Sequence, residues 1–363
     1  MNMMKKLFLL IALTVPALCQ AQTRWIDPIK EGAEVHGSGW EELRHSYVRL
    51  PDKAESTVRS SVWGLSRSSA GKSLVFRSNA GSIKLRYQLG DKEYAMFHMQ
   101  STGKSGLDLY AIDKEGGMRW CAADFTPSFA DTVVYRYSGI SYYPEKTDSY
   151  EFHLYLPLYN RIKWLEIGIP EDAEFEFLPV PAERPIVVYG TSIAQGACAS
   201  RPGMAWSNIV ERELRYPVVN LGFSGNGKLE PEVFDLLDEI DAGLYILDCL
   251  PNLSGTRVIF DRAIAGVRRL REHHDCPILL VENCGHTNEY TKDSYAAYRA
   301  DNDQLRRAYE ALLAEGVQEI YYLTCGEIGF TMDSMVEGVH PTDIGMRNYA
   351  DAYIAKIRAI FGR

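Results

Sequence analysis

The chain has 363 residues, 46% of them hydrophobic, and a formal net charge of −9; two domains with ample cores are the expectation. The acidic balance, without a basic stripe or a basic amphipathic helix, excludes nucleic acid and an anionic membrane surface as partners. Past the N-terminal segment no stretch approaches the ~20 apolar residues that span a bilayer, which argues against membrane insertion.

Residues 1–21 read as a secretory signal peptide. Lys5 and Lys6 open it, "LFLLIALTVPAL" is its apolar run, and Cys19 and Ala21 place small residues at −3 and −1 of a cleavage site before Gln22. A lipoprotein reading through Cys19 is the weaker alternative, because Leu18 is bulky where a small residue is expected. Without the two lysines the mature charge is −11, and the protein is expected in the periplasm or outside the cell. Six cysteines remain: Cys121, Cys198, Cys249, Cys276, Cys284 and Cys325. No CxxC pair occurs, so no metal cluster is expected, and a domain of this size does not need disulfides.

Residues 22–178 are short, often alternating apolar runs broken by turn residues, such as "SLVFRSNAGSIKLRYQL", "GLDLYAID", "SYEFHLYLPLY" and "RIKWLEIGI". That rhythm predicts an all-β, jelly-roll-like antiparallel sandwich. Asn79-Ala80-Gly81 and Lys114-Glu115-Gly116-Gly117 read as hairpin turns. Residues 179–185, with three prolines from Pro179 to Pro185, form a stiff connector.

From residue 186 to 363 the grammar changes. "IVVYG", "YPVVNLGF", "AGLYILDCL", "CPILLVENC" and "EIYYLTCGE" are continuous apolar strands. They alternate with predicted helices over 203–214, 230–239, 256–273, 292–315 and 343–360. Such strands belong to a parallel sheet covered on both faces, where ligands bind beyond the carboxyl ends of the strands. Those ends collect Ser192, the glycine-dense "GFSGNG" with Gly225, Asn252, His286, and a last loop with Glu337 and His340. A serine hydroxyl becomes a nucleophile when an imidazole takes its proton, a carboxylate fixes the imidazole tautomer, and preset N–H donors hold the oxyanion. Glu337 and His340, three apart before Pro341, can face one side together.

"GTS" at 190–192, Gly225 in "FSGNG", Asn252 in "LPN" and "EGVHP" at 337–341 resemble the four blocks of the SGNH, or GDSL-type, esterases and acylhydrolases, in the family's order. The stretch "GTSIAQGACASRPGMAW" is similar to a subgroup with an N-terminal β-sandwich. The resemblance implies a three-layer, flavodoxin-like α/β domain with strand order 2-1-3-4-5. It also implies Ser192 as nucleophile, His340 as base, and an oxyanion hole from the N–H of Ser192, the N–H of Gly225 and the side chain of Asn252. Two departures stand out: Thr191 replaces the usual aspartate of the first block, and Glu337 replaces the usual aspartate three before the histidine, with Asp333 as the fallback acid. In the implied strand order Cys284 and Cys325 follow neighbouring strands, which raises a disulfide between them.

Each residue also has an ordinary reading. Ser192 and Asn252 could cap helices, the glycines could shape a turn, and His340 could lie on the surface. "GFSGNG" misses dinucleotide spacing, and Lys228 lacks the Ser/Thr of a P-loop. His273 and His274 read as solvated charges at a helix end. Trp206, Met204, Tyr321 and Tyr322 read as core. Arg201 and His286 are candidates for substrate contact. The reading is an exported serine esterase acting on a short acyl ester, acetyl first, of a small ester or an acetylated glycan, with no metal and no organic cofactor. The alternatives are a lipid or thioester acylhydrolase, or a catalytically inactive glycan-binding protein.

Overall fold

The computed structural model describes residues 22–142, 148–287, 289–291 and 296–362. The expected signal peptide lies outside the described residues, as does 292–295 of the predicted helix 292–315. No described helix is long and apolar enough to cross a membrane.

Among the described residues the N-terminal part holds nine strands: β1 (Thr23–Ile26), β2 (Ser73–Ser78), β3 (Ser82–Leu89), β4 (Asp108–Ile112), β5 (Met118–Cys121), β6 (Val133–Ser138), β7 (Tyr150–Tyr155), β8 (Ile162–Pro170) and β9 (Phe175–Phe177). They form two antiparallel sheets, ordered β1-β8-β3-β6 and β5-β4-β7-β2-β9. Alternation in β3 buries Ile83, Leu85, Tyr87 and Leu89, and these share one core with Phe76, Leu109, Phe152 and Leu154 of the other sheet. The turn at 114–117 joins β4 to β5 as a hairpin, with Gly116 at a positive φ of 84° and the Asp113 carboxylate accepting from the Glu115 and Gly117 N–H groups.

Two expectations are corrected here. Residues 79–81 do not close a hairpin: β2 pairs with β7 and β9, β3 with β6 and β8, so the chain changes sheet at that turn. The stretch 40–66, counted with the strands in sequence, contains two 3-10 turns and the helix Ser60–Ser66. Its Trp40, Leu43, Leu50, Ala54, Val58 and Val62 join the core of the α/β half. Ala54 lies in the second 3-10 turn, Val58 in the bend after it and Val62 in the helix, so burial here follows the packing of short turns and not a strand alternation.

The α/β half has five parallel strands, β10 (Ile186–Gly190), β11 (Val218–Gly222), β12 (Leu244–Asp248), β13 (Ile278–Val281) and β14 (Ile320–Leu323), ordered β11-β10-β12-β13-β14. Numbered within this half that is 2-1-3-4-5. Val187 and Tyr189 of β10 point into a core with the helices Pro231–Leu237, Ile259–Arg271 and Tyr298–Ala314. Ile186 and Val188 point the other way, into a core with Trp206–Leu214 and Asp343–Phe361. Burial on both faces explains why these strands read as continuous apolar runs, each full side chain worth ~1.5–3 kcal/mol.

Buried polar ties join the two parts. Arg49 donates to the carbonyls of Gly222 (2.6 Å), Leu65 (2.7 Å) and Ser68 (3.2 Å), and burial pushes its guanidinium down to about 9. The Tyr159 hydroxyl donates to the Ser192 carbonyl at 3.0 Å. Arg201 reaches into the β-rich part, to Asp108 at 2.6 Å and to the Tyr110 hydroxyl.

Candidate active site

β10 stops at Gly190, and Thr191 caps the four-residue helix Ser192–Gln195, its hydroxyl accepting from the Ile193 N–H at 3.3 Å. Cap and candidate nucleophile are therefore adjacent residues. Ser192 is only 6% exposed. Its Oγ lies 2.9 Å from His340 Nε2, and His340 Nδ1 is hydrogen-bonded to the Glu337 carboxylate. One tautomer satisfies both contacts: a carboxylate only accepts, so Nδ1 carries the proton and Nε2 is left to accept from the hydroxyl. The loop holding Glu337 and His340 is a folded turn. Val336 N–H donates to the His340 carbonyl at 2.8 Å, Thr342 N–H to the Ser334 carbonyl at 2.9 Å, and Met335 bridges Pro341. Asp333 is exposed, and the contact made by its backbone carbonyl is with the Thr342 hydroxyl.

The loop after β11 approaches the end of β10 closely. A Cβ on Gly227 would sit 2.1 Å from the Gly190 carbonyl oxygen, so only glycine fits. Gly225 has a φ of 68°, in the left-handed region that favours glycine. Gln195 ties helix to loop: its Oε1 accepts from Ser224 N–H at 3.0 Å while its amide donates to the Leu158 carbonyl at 3.1 Å. Asn252 accepts from Gly227 N–H through Oδ1 at 3.1 Å, which orients the amide and leaves its NH2 as the group available to a ligand.

The structure gives the remaining candidates other contacts. Arg201, expected near substrate, is occupied by Asp108 and Tyr110 with its guanidinium over the Trp120 ring at 4.4 Å. His286 donates from Nδ1 to the Gly338 carbonyl at 2.7 Å and so braces the Glu337–His340 turn. His273 and His274 bind Asp238, at 2.8 Å to its carboxylate and 2.9 Å to its carbonyl respectively. Trp206 is fully buried, stacked on Tyr353 at 4.2 Å, whereas Tyr321 and Tyr322 bond to Glu319 and Glu282. Cys284 and Cys325 are free thiols, which corrects the disulfide expectation. The strands are neighbours, but Cys284 lies three residues beyond β13, against Tyr349 of the last helix, and Cys325 begins a helix of its own.

Several further residues at the site are given no role by the sequence; of these, Cys198 reads only as a buried small residue that follows a strand on the active-site edge. His98, in the irregular stretch before β4, sets its ring edge-on to His340 with centroids 4.8 Å apart, and stacks on Phe97, which is 93% exposed. Burial and the neighbouring His340 both push its imidazole below the ordinary value. Cys198 is buried near Glu337, and burial pushes its thiol up to about 12. Asp108 and Tyr110 sit one residue apart on β4; Asp108 also accepts from Trp120 Nε1 (2.8 Å) and Gly203 N–H (2.9 Å). Burial still raises its carboxyl above the usual range. A charged residue inside a buried strand was the available clue. Asp248, opposite Gly190 in the sheet, is fully buried with neither oxygen hydrogen-bonded among the described residues. Burial pushes it up to about 7, opposed by the neighbouring Tyr353 hydroxyl.

Comparison with known proteins places this geometry in a class. Residues 183–358 match the GDSL-like lipase/acylhydrolase family, and residues 23–175 match the N-terminal region of SGNH-hydrolase-type esterases, the GxDLY domain, whose motif here is "GLDLY" at 106–110. A protein described as a GDSL-like lipase, from Bacteroides ovatus ATCC 8483, is 31% identical with a TM-score of 0.84, over 94% of this chain and 98% of that one. The chain belongs to the GDSL-like lipase/acylhydrolase family and is an ester hydrolase. Two more distant structures share the fold. The salicylyl-acyltransferase SsfX3 of a tetracycline biosynthetic pathway has 18% identity and a TM-score of 0.69, over 93% and 98% of the two chains. A family two carbohydrate esterase from Cellvibrio japonicus has 13% identity and a TM-score of 0.53, over 94% and 99%. No curated relative matches the chain.

Proposed function

We propose that this protein is an exported serine esterase that removes a short acyl group, acetyl first, from a carbohydrate. Ser192 is the nucleophile, His340 the general base, and Glu337 the acid that orients it. The observation that carries this reading is the serine oxygen 2.9 Å from an imidazole whose other nitrogen is held by a carboxylate. In the first step Ser192 Oγ bonds to the ester carbonyl carbon as its proton passes to His340 Nε2. The oxyanion is met by the N–H groups of Ser192 and Gly225 and by the Asn252 amide, each worth ~2.7–4 kcal/mol of barrier. As the bond from the carbonyl carbon to the sugar oxygen breaks, His340 gives the proton to that oxygen, releasing the sugar as its alcohol and leaving an acyl-serine. Water then repeats the sequence and releases the acid.

The short acyl group is supported by the near-complete burial of Ser192 and by the ring of His98 packed against His340. The carbohydrate part is supported by the shared fold with the Cellvibrio japonicus enzyme and by the apparent signal peptide at 1–21. We read the two antiparallel sheets as a jelly-roll-like sandwich over 22–178, interrupted by the excursion 40–66, and 179–185 as its connector.

The test is hydrolysis of aryl esters of increasing acyl length, then of acetylated oligosaccharides. Fastest turnover of acetyl and release of acetate from the glycan are expected. A preference for long acyl chains or thioesters would replace the substrate with a lipid or thioester. A wild type inert on every ester would leave glycan binding as the function.

A further inference from the structure

The imidazole that faces Ser192 also belongs to a second group. His98, Cys198 and His340 present one nitrogen, one sulfur and one nitrogen that lie within 4.8 Å of one another. A tetrahedral zinc site, with Zn–N of ~2.0–2.1 Å and Zn–S of ~2.3 Å, needs its donors about 3.3–3.6 Å apart, so closure requires shifts of roughly 1 Å. Three further features fit a metal. The Glu337 carboxylate on Nδ1 leaves Nε2 of His340 as the nitrogen that carries the lone pair, the carboxylate–histidine arrangement that orients metal ligands. His98 has a buried Nδ1 with no hydrogen-bond partner among the described residues. The donor set, two imidazoles and a thiol, is the soft mixture that selects zinc over magnesium or calcium.

We propose that His98, Cys198 and His340 form an inhibitory site for Zn2+ or a similar soft divalent ion, with water in the fourth position. On binding, the Cys198 thiol gives its proton to solvent as the metal–sulfur bond forms, and the metal takes the Nε2 lone pair that otherwise accepts from Ser192. The enzyme is switched off without loss of its fold, and removal of the ion restores it. His98 comes from the β-rich part and the other two from the α/β half, so the site staples the two together across the active centre. Metal binding stands on geometry alone; inhibition rests on the triad reading.

The test uses the full chain, freshly reduced and metal-free, titrated with Co2+. One ion per chain is expected, with a near-ultraviolet thiolate-to-metal band that Zn2+ abolishes by competition. Cys198→Ser should lose the band and His98→Gln should weaken binding by at least ~10-fold. Ser192→Ala, inactive under the triad reading, should bind as the wild type does. In parallel, Zn2+ should stop ester hydrolysis by the wild type at the concentrations that fill the site, and a chelator should restore it. The zinc sensitivity of Cys198→Ser and of His98→Gln is compared with each variant's own zinc-free rate. Absence of the band in the wild type, or a band unchanged in Cys198→Ser or His98→Gln, overturns the site. Binding without inhibition overturns the switch. An active enzyme that binds no cobalt sinks this proposal and leaves the esterase standing; an inert protein that binds it does the reverse.

Discussion

The two regions of this molecule differ in what they contribute. The α/β half places Ser192, Gly225, Asn252, Glu337 and His340 beyond the ends of its strands, each within a few residues of a strand or helix terminus. The β-rich part adds no member of that set. It adds the grips that hold the set still: Tyr159 on the Ser192 carbonyl, Leu158 on Gln195, Arg49 beneath the Gly222 turn, and Asp108 with Tyr110 on Arg201. Chemistry can sit in one half while the precision comes from the other, since a bound geometry off by 1 Å can cost ~100-fold in rate.

The strongest way to break this division is at the reacting atoms. Ser192→Ala and His340→Ala should each lower kcat by on the order of 10⁶ with little change in melting temperature, and Glu337→Gln by about 10⁴. A Glu337→Gln enzyme within tenfold of wild type would move the acid elsewhere, with Asp333 next to be replaced.

Asp248 tests the sheet beneath the site. Its folded carboxyl titrates near 7 against 3.8 in the free residue, so the folded state keeps a proton that the unfolded chain has lost. The stability tied to that proton is present below about 4 and is lost as pH rises toward 7. Asp248→Asn should therefore gain on the wild type across that window and level off above it, by about 4 kcal/mol if the whole shift is expressed. Denaturant unfolding at several pH values reads the difference, and two parallel curves would show that Asp248 has an unseen partner.

Asn252→Ala should cost ~10²–10³ in kcat with KM little changed, which separates an oxyanion donor from a simple loop cap. Arg201→Met sharpens the contrast from the other side. It strands the buried Asp108 carboxylate and should cost about 3 kcal/mol of stability, with a far smaller loss of kcat than any triad variant. Restoration of stability by adding Asp108→Asn would identify a brace; a kcat collapse in a well-folded Arg201→Met protein would return Arg201 to the substrate.

Much of the α/β half was legible because its signals are local. Five continuous apolar runs, the glycines at 225 and 227, and the Glu337–His340 spacing are short-range facts. The β-rich part was harder. Alternation in β3 marked a strand without saying which partner it takes, so the change of sheet at 79–81 stayed hidden. Ala54, Val58 and Val62 were counted with the strands, and nothing local showed that they would enter the core of the other half.

By itself the sequence determined the strands, the helices that follow them, and the candidates Ser192, His340 and Glu337, because propensity, burial pattern and motif spacing act over a few residues. Only the tertiary structure decided which side chains meet. It brought His98 to His340, drew Arg201 to Asp108, kept Cys284 apart from Cys325, and buried Asp248 with neither oxygen hydrogen-bonded among the described residues. Those contacts join residues up to about 240 positions apart, where proximity is set by the packing of whole sheets and helices, and no local pattern carries that information.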